Sequence, residues 1–96
     1  MRAPKEPSLD LYRMILTLKD EDSCYRFFQD LCSITELRSM EQRYDVAKLL
    51  YEGKVYTDIA EATGASSATI SRVNRALRYG DNGLQDAFER SEEEIS

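Results

Sequence analysis

The sequence predicts an all-α protein of about six helices. From Leu9 onward, apolar residues recur at three- and four-residue spacings, the period of an amphipathic helix. No segment shows the alternation of apolar and polar residues that is typical of a β-strand. Breaks that contain glycine or clustered acidic residues separate the periodic segments, at 20–23, 52–54 and 79–83. A chain of 96 residues is expected to form one small domain, which we place at residues 9–90.

The first half of the chain is expected to hold an arm and three helices. Residues 1–8 contain two prolines and little apolar content, so we expect a flexible arm there. A first helix begins near Leu9. The residues at 20–23 end its pattern and offer side-chain oxygens that can cap a second helix. Thr35 is predicted to cap a third, longer helix, and Glu36 is well placed against the partial positive charge of its N-terminus.

The second half contains a helix-turn-helix pattern at about 56–79. Ala60 is small where two short helices must approach each other, and Gly64 can take the left-handed conformation that ends the first of them. Ser66 can then cap the second helix. This motif places its second helix in the major groove of DNA. A last short helix is expected from Leu84 to about Arg90.

The charge distribution supports contact with phosphate. The net charge is −5, but residues 81–96 hold six acids and only one base. We interpret 91–96 as an acidic tail that either aids solubility or lowers non-specific DNA affinity. Residues 66–80 contain no acid and three arginines, Arg72, Arg75 and Arg78. This local bias is opposite to that of the whole chain, and the local bias is the better guide to a nucleic-acid surface.

Composition also limits the other functions. There is no histidine, so the commonest general base and metal ligand is missing, and we predict no metal site, no resident cofactor and no enzyme activity. Cys24 and Cys32 would lie about 12 Å apart along one helix, too far for a disulfide. We expect both thiols to be reduced and half-buried in a cytoplasmic protein. No apolar run is long enough to span a membrane, and no signal peptide is evident.

The first two predicted helices are apolar over more than one face. A single chain of this size can hardly cover both, which favours a homodimer in which two chains cover each other. Two symmetry-related recognition helices would also suit two DNA half-sites. A monomeric bundle with a large apolar core is the alternative.

The predicted DNA-binding residues belong to the two helices of the motif. Ser66 would cap the recognition helix, short side chains behind it would approach base edges, and the three arginines would contact phosphates. Side chains at the start of the preceding helix would touch flanking phosphates. The full set is Tyr56, Thr57, Ser66, Ser67, Ala68, Thr69, Ser71, Arg72, Arg75 and Arg78.

Three segments resemble the Trp repressor superfamily, and within it the Trp-repressor-related YerC/YecD-type branch. They are Thr35-Glu36-Leu37-Arg38, residues 42–53 (QRYDVAKLLYEG) and residues 64–72 (GASSATISR). The resemblance covers about residues 31–88. It implies an intertwined, all-helical homodimer that acts as a transcriptional repressor on double-stranded DNA.

The same resemblance implies a candidate effector pocket at Arg43, Arg72, Val73 and Ala76. The two arginines match those that flank the bound amino acid in the Trp repressor. Val73, however, stands where that family has a glycine, and Ala76 stands where it has a serine that meets the ligand's amino group. A valine would occupy space that an indole ring needs, so we predict that tryptophan is not the corepressor. The pocket would hold another small molecule or be filled.

Two functions remain in competition. The first is a sequence-specific, dimeric DNA-binding regulator, expected to be a repressor. The second is a protein-interaction module that keeps the helix-turn-helix fold without sequence-specific DNA binding, and it predicts little salt dependence of any DNA binding.

Overall fold

The structure of the protein, a computed structural model, describes residues 6–95. In that range it contains six α-helices and no strand: α1 (Leu9–Ile15), α2 (Glu21–Leu31), α3 (Ile34–Tyr51), α4 (Tyr56–Thr63), α5 (Ser67–Tyr79) and α6 (Gly83–Ile95). The predicted all-α fold class is confirmed. Residues 1–5 of the expected arm and residue 96 of the expected tail lie outside the described range.

The chain divides into two compact units after Leu37. The first unit contains α1, α2 and the start of α3. Asp20 caps α2, because its carboxylate accepts a hydrogen bond of 2.7 Å from the backbone N–H of Ser23, as the sequence predicted. This backbone hydrogen bond lowers the pKa of Asp20. Cys24 and Cys32 are free thiols and half-buried.

Ser33, and not Thr35, caps α3. The backbone N–H of Glu36 donates to Oγ of Ser33 at 3.1 Å, and the backbone N–H of Ser33 donates to Oε1 of Glu36 at 2.7 Å. This reciprocal pair is a capping box. The predicted cap at Thr35 is therefore wrong, because the helix already begins at Ile34, two residues before the start that a cap at Thr35 implies. The hydrogen bond from the Ser33 N–H lowers the pKa of Glu36.

The second unit, from Arg38 onward, holds the main hydrophobic core. Side chains from α3, α4, α5 and α6 meet there. The largest fully buried members are Val46, Ile59, Ile70 and Leu77. The remaining buried members of the core are Ala47, Leu50, Ala65, Val73 and Phe88. This core fixes α4 and α5 against α3 within the unit, since each of the three helices contributes to it.

The segment predicted as a helix-turn-helix, about 56–79, contains α4 and α5. Gly64 ends α4 with φ of +73°, and its N–H donates to the Ala60 carbonyl at 2.8 Å. Any residue other than glycine would be strained in this left-handed conformation, because its side chain would crowd the backbone. Ala65 is buried, and Ser66 then caps α5 through the backbone N–H of Thr69 at 3.1 Å.

The last helix is longer than the sequence predicted. We expected it to end near Arg90, whereas α6 continues to Ile95. Two contacts from α6 to α3 explain the difference. Phe88 stacks on Tyr51, and the carboxylate of Glu92 accepts a hydrogen bond from the Tyr51 hydroxyl. The acidic residues 92–94 therefore continue the helix that Phe88, one turn earlier, attaches to α3. No helix within residues 6–95 is long and apolar enough to cross a membrane.

Candidate nucleic-acid interface

The first two turns of α5 present short, uncharged side chains to solvent. Ser67, Ala68 and Ser71 are exposed, and Thr69 is half-buried. The Ser66 hydroxyl accepts from the backbone N–H of Thr69 and donates to the Thr69 hydroxyl, both at 3.1 Å. The remaining N–H groups of the first turn have no acidic neighbour within that turn. Such a helix N-terminus attracts phosphate through its free N–H groups and its partial positive charge.

The arginines of α5 differ in their contacts. Arg72 and Arg75 are exposed, and in the described part of the chain the ion pairs are Arg26 with Asp22 and Arg38 with Glu41. The guanidinium of Arg78 donates a hydrogen bond of 3.4 Å to the Leu50 carbonyl. Because a guanidinium carries five N–H donors, Arg78 keeps donors that can reach a phosphate.

The start of α4 supplies the other predicted contacts. Tyr56 and Thr57 are exposed, and Val55 precedes them without a side-chain hydrogen bond that caps the helix. Asp58 lies in the same turn, and its carboxylate makes this helix start less attractive to an anion than that of α5. All ten predicted DNA-binding residues keep some exposure, so none of them is removed from solvent by the core.

The four predicted pocket residues line one cavity. Its volume is about 410 Å³. Arg43 comes from α3, whereas Arg72, Val73 and Ala76 come from α5. The other lining residues, which the sequence does not predict, are Met40 and Tyr44 of α3 and Leu84 of α6. Met40 lies three residues before Arg43 and four before Tyr44 on α3, and that spacing is the signal that could identify them.

The wall of the cavity is almost wholly apolar, and Arg43 and Arg72 line it mainly through the carbon atoms of their side chains. Val73 is only 4% exposed and belongs to the hydrophobic core. The guanidinium of Arg43 donates to the Ser39 hydroxyl at 2.9 Å. None of the lining residues carries a carboxylate, so the cavity offers apolar surface and no anionic partner. Elsewhere in residues 6–95, no three His, Cys, Asp or Glu side chains come together in a way that could hold a metal ion.

The profile of the Trp repressor protein family matches residues 8–92, most of the chain. The chain belongs to this family. It is 52% identical over 83 residues to the uncharacterized protein YerC of Bacillus subtilis, a match that covers 86% of this chain and 80% of that protein. The predicted resemblance to the Trp repressor superfamily and its YerC-type branch is confirmed.

Solved structures agree with this membership of the Trp repressor family. A TrpR-like protein from Eubacterium eligens is 56% identical, with a TM-score of 0.82 over 85% of this chain and 84% of that one. A Staphylococcus aureus protein provisionally assigned as a Trp repressor is 42% identical, with a TM-score of 0.82 over 86% and 83% of the two chains. Membership of the Trp repressor family supports the general function of a DNA-binding regulator. The family is regulatory and is not a family of enzymes.

Proposed function

We propose that the protein is a sequence-specific, double-stranded DNA-binding transcriptional repressor that acts as a homodimer. The observation that carries this proposal is the exposed, acid-free N-terminal half of α5. Ser66 caps the helix there, and short side chains follow with Arg72 and Arg75. In this proposal α5 lies in the major groove, and its short side chains allow a close approach to the bases.

The proposed contacts divide into two kinds. Thr69 and Ser71 hydrogen-bond to base edges, directly or through water, and Ala68 contacts a thymine methyl group. Ser66 and Ser67 bring the N–H groups of the first turn to a phosphate. Other phosphates are contacted by a further set: Tyr56, Thr57, Arg72, Arg75 and Arg78. Since short hydroxyl side chains select bases weakly, DNA shape contributes to the specificity.

Exposed apolar side chains support the homodimer. Neither α1 nor α2 contains a buried residue. Leu9 is 53% exposed, Tyr12 is 52% exposed and Leu31 is 57% exposed. Apolar side chains on two consecutive helices are covered when two chains associate. A twofold pair would present two α5 helices to one duplex. Because such a regulator acts on the genome of a bacterium, we place it in the cytoplasm.

Selection from a random duplex pool tests the proposal. A selected and a scrambled duplex are titrated at two salt concentrations with the wild-type protein, with Thr69→Ala and with Arg75→Ala. We expect Thr69→Ala to change the preferred sequence, and Arg75→Ala to weaken both duplexes alike. Arg90→Ala is the matched control, since it removes an exposed arginine from α6. If all variants bind as the wild type does, or if binding hardly depends on salt, the protein-interaction module is the better interpretation.

The cavity favours a second role, the binding of a small-molecule effector. Arg43, Arg72, Val73 and Ala76 join α3 to α5 around it. A ligand there would contact Arg72 on the recognition helix directly. We propose an effector other than tryptophan, because Val73 fills space at the wall and the wall has no carboxylate to pair with an ammonium group.

A further inference from the structure

A side chain of α3 is hydrogen-bonded to the turn of the helix-turn-helix. The amide of Gln42 donates to the Thr63 carbonyl at 3.1 Å, across a separation of 21 residues. Both groups are partly buried. Thr63 is the last residue of α4, and its carbonyl has no partner within the helix. Gln42 therefore satisfies a carbonyl that the end of α4 would otherwise leave unpaired.

The rest of the turn is closed by local hydrogen bonds. The Thr63 hydroxyl donates to the Ile59 carbonyl at 2.7 Å and accepts from the Ala65 N–H at 3.2 Å. The Gly64 N–H bonds to the Ala60 carbonyl. These bonds shape the turn internally but do not fix where it lies. The bond from Gln42 is different in kind, since it joins the turn to another helix.

We propose that Gln42 is a positioning residue for DNA recognition. By holding the Thr63 carbonyl, Gln42 fixes the position at which the chain enters α5. It thereby fixes where Ser66 and the side chains that follow it meet the major groove of DNA. The proposal rests on the proposed function, since only a DNA-binding α5 needs this precision. Groups that recognise a ligand must be held within roughly 0.5 Å of their working geometry, whereas the core residues Ile59 and Ile70 pack without directional bonds.

The competing interpretation is that Gln42 contributes to stability alone. Hydrophobic packing of Ile59, Ala65 and Ile70 would then keep α5 in place without the hydrogen bond. The two interpretations differ in what happens to discrimination between duplexes. A purely structural residue changes the fraction of folded protein, and it affects the selected and the scrambled duplex by the same factor.

Gln42→Met tests the proposal, because methionine has a similar length and lacks the N–H donor. Gln85→Met is the matched control, since the Gln85 amide bonds to Glu89 one turn along the same helix, at 3.0 Å, and not to another helix of residues 6–95. Two quantities are measured for each variant and the wild type. They are the affinities for a selected and a scrambled duplex under conditions where the protein is fully folded, and the exchange rates of the backbone amide hydrogens of Gly64 and Ala65.

We expect Gln42→Met to lose about tenfold in affinity for the selected duplex, with no change for the scrambled one. The exchange of the Gly64 and Ala65 amides should accelerate, while Gln85→Met behaves as the wild type does. If Gln42→Met does not fold, Gln42→Glu takes its place, because a carboxylate keeps the shape and cannot donate.

If the amide hydrogens of Gln42→Met exchange faster but its preference between the two duplexes is unchanged, the positioning role is wrong. It is also wrong if neither the exchange rates nor the affinity for the selected duplex changes. If the wild type shows no preference between duplexes, the proposed function fails and the recognition role of Gln42 fails with it. The exchange rates still decide in that case whether Gln42 holds the turn, so the two failures are distinguishable.

Discussion

The ring of Phe88 stacks on the ring of Tyr51, with centroids 5.0 Å apart and planes inclined by 24°. Tyr44 contacts the same phenyl ring at 5.8 Å. Phe88 lies in α6, and both tyrosines lie in α3, seven residues or about two helical turns apart. The Tyr51 hydroxyl also donates to the carboxylate of Glu92. Burial and this carboxylate together raise the pKa of Tyr51. The ring of Phe88 and the carboxylate of Glu92 therefore both attach α6 to α3.

Phe88→Ala should destabilise the protein by about 3 kcal/mol, because it removes a buried ring and leaves a cavity at the α3–α6 contact. Urea unfolding followed by far-UV circular dichroism measures the loss. Tyr51→Phe is the control, since it keeps the stacked ring and removes only the hydrogen bond to Glu92. We expect a smaller loss for that variant, because one hydrogen bond contributes less than a buried ring. Equal losses for the two variants would contradict the assignment of Phe88 as the anchor of α6.

Gly80→Ala should destabilise the protein by about 2 kcal/mol. A Cβ atom at Gly80 would overlap the carbonyl oxygen of Ala76, which is a backbone atom and cannot move aside without distorting α5. Gly83→Ala is the matched control, because a Cβ there meets no atom within 4 Å. Alanine is also the better residue in a helix, so Gly83→Ala should be neutral or slightly stabilising. Thermal unfolding of the two variants measures the difference, and equal melting temperatures would contradict the clash.

The parts that could be predicted from the sequence depend on local signals. Gly64 ends α4, and Ser66 caps α5, because the conformation of one residue and the reach of one hydroxyl decide both features. The cap of α3 is harder to predict, since Ser33 and Thr35 both offer a hydroxyl and the sequence pattern favours Thr35, two residues too late. Only the bond between Ser33 and Glu36 distinguishes them.

The parts that could not be predicted depend on contacts between residues far apart in the sequence. The full length of α6 reflects the bond between Tyr51 and Glu92, which no local pattern reveals. The link from Gln42 to the Thr63 carbonyl has no sequence signal either, since an isolated glutamine on a helix is most often solvated. The family resemblance suggested the cavity, but the contribution of Leu84 required the packing of α6 against α5.

Arg75→Ala should reduce the dependence of DNA affinity on salt. If Arg75 contacts one phosphate, the slope of log K against log salt should become less steep by about 1. Arg78→Ala should also lose a little stability, because its guanidinium bonds to the Leu50 carbonyl. Fluorescence anisotropy over a series of salt concentrations measures the slope. Arg90→Ala should leave the slope unchanged, and a slope for Arg75→Ala equal to that of the wild type would remove Arg75 from the interface.

The capping box of α3 should make stability depend on pH. The pKa of Glu36 is lowered below its ordinary value of 4.5 by the hydrogen bond from the Ser33 N–H. Since the folded state holds this proton more weakly than the unfolded state, the contribution of the carboxylate is complete above about pH 4.5 and is lost as the pH falls through the folded pKa. Glu36→Gln keeps an acceptor for the Ser33 N–H but does not titrate.

The wild type should therefore be more stable than Glu36→Gln near neutral pH. The difference between their free energies of unfolding, called the gap below, should become smaller as the pH falls below 4.5. Urea unfolding of both proteins from pH 7 to pH 3 measures the gap. Asp20, whose pKa is also lowered, is present in both proteins, so its titration cancels in the difference. A gap that stays constant over this range would exclude the carboxylate of Glu36 as its source.

Calorimetric titration with tryptophan should give no heat above dilution. Val73 is 4% exposed and forms part of the core, so its methyl groups are not free to move aside for an indole ring. The amino group of the ligand would also lack an anionic partner, since no wall residue carries a carboxylate, and an unpaired ammonium is costly to bury. Arg72→Ala is the control variant, because it removes one of the two guanidiniums at the cavity. Saturable heat with the wild type that disappears in Arg72→Ala would show that tryptophan enters this cavity and that Val73 does not exclude it.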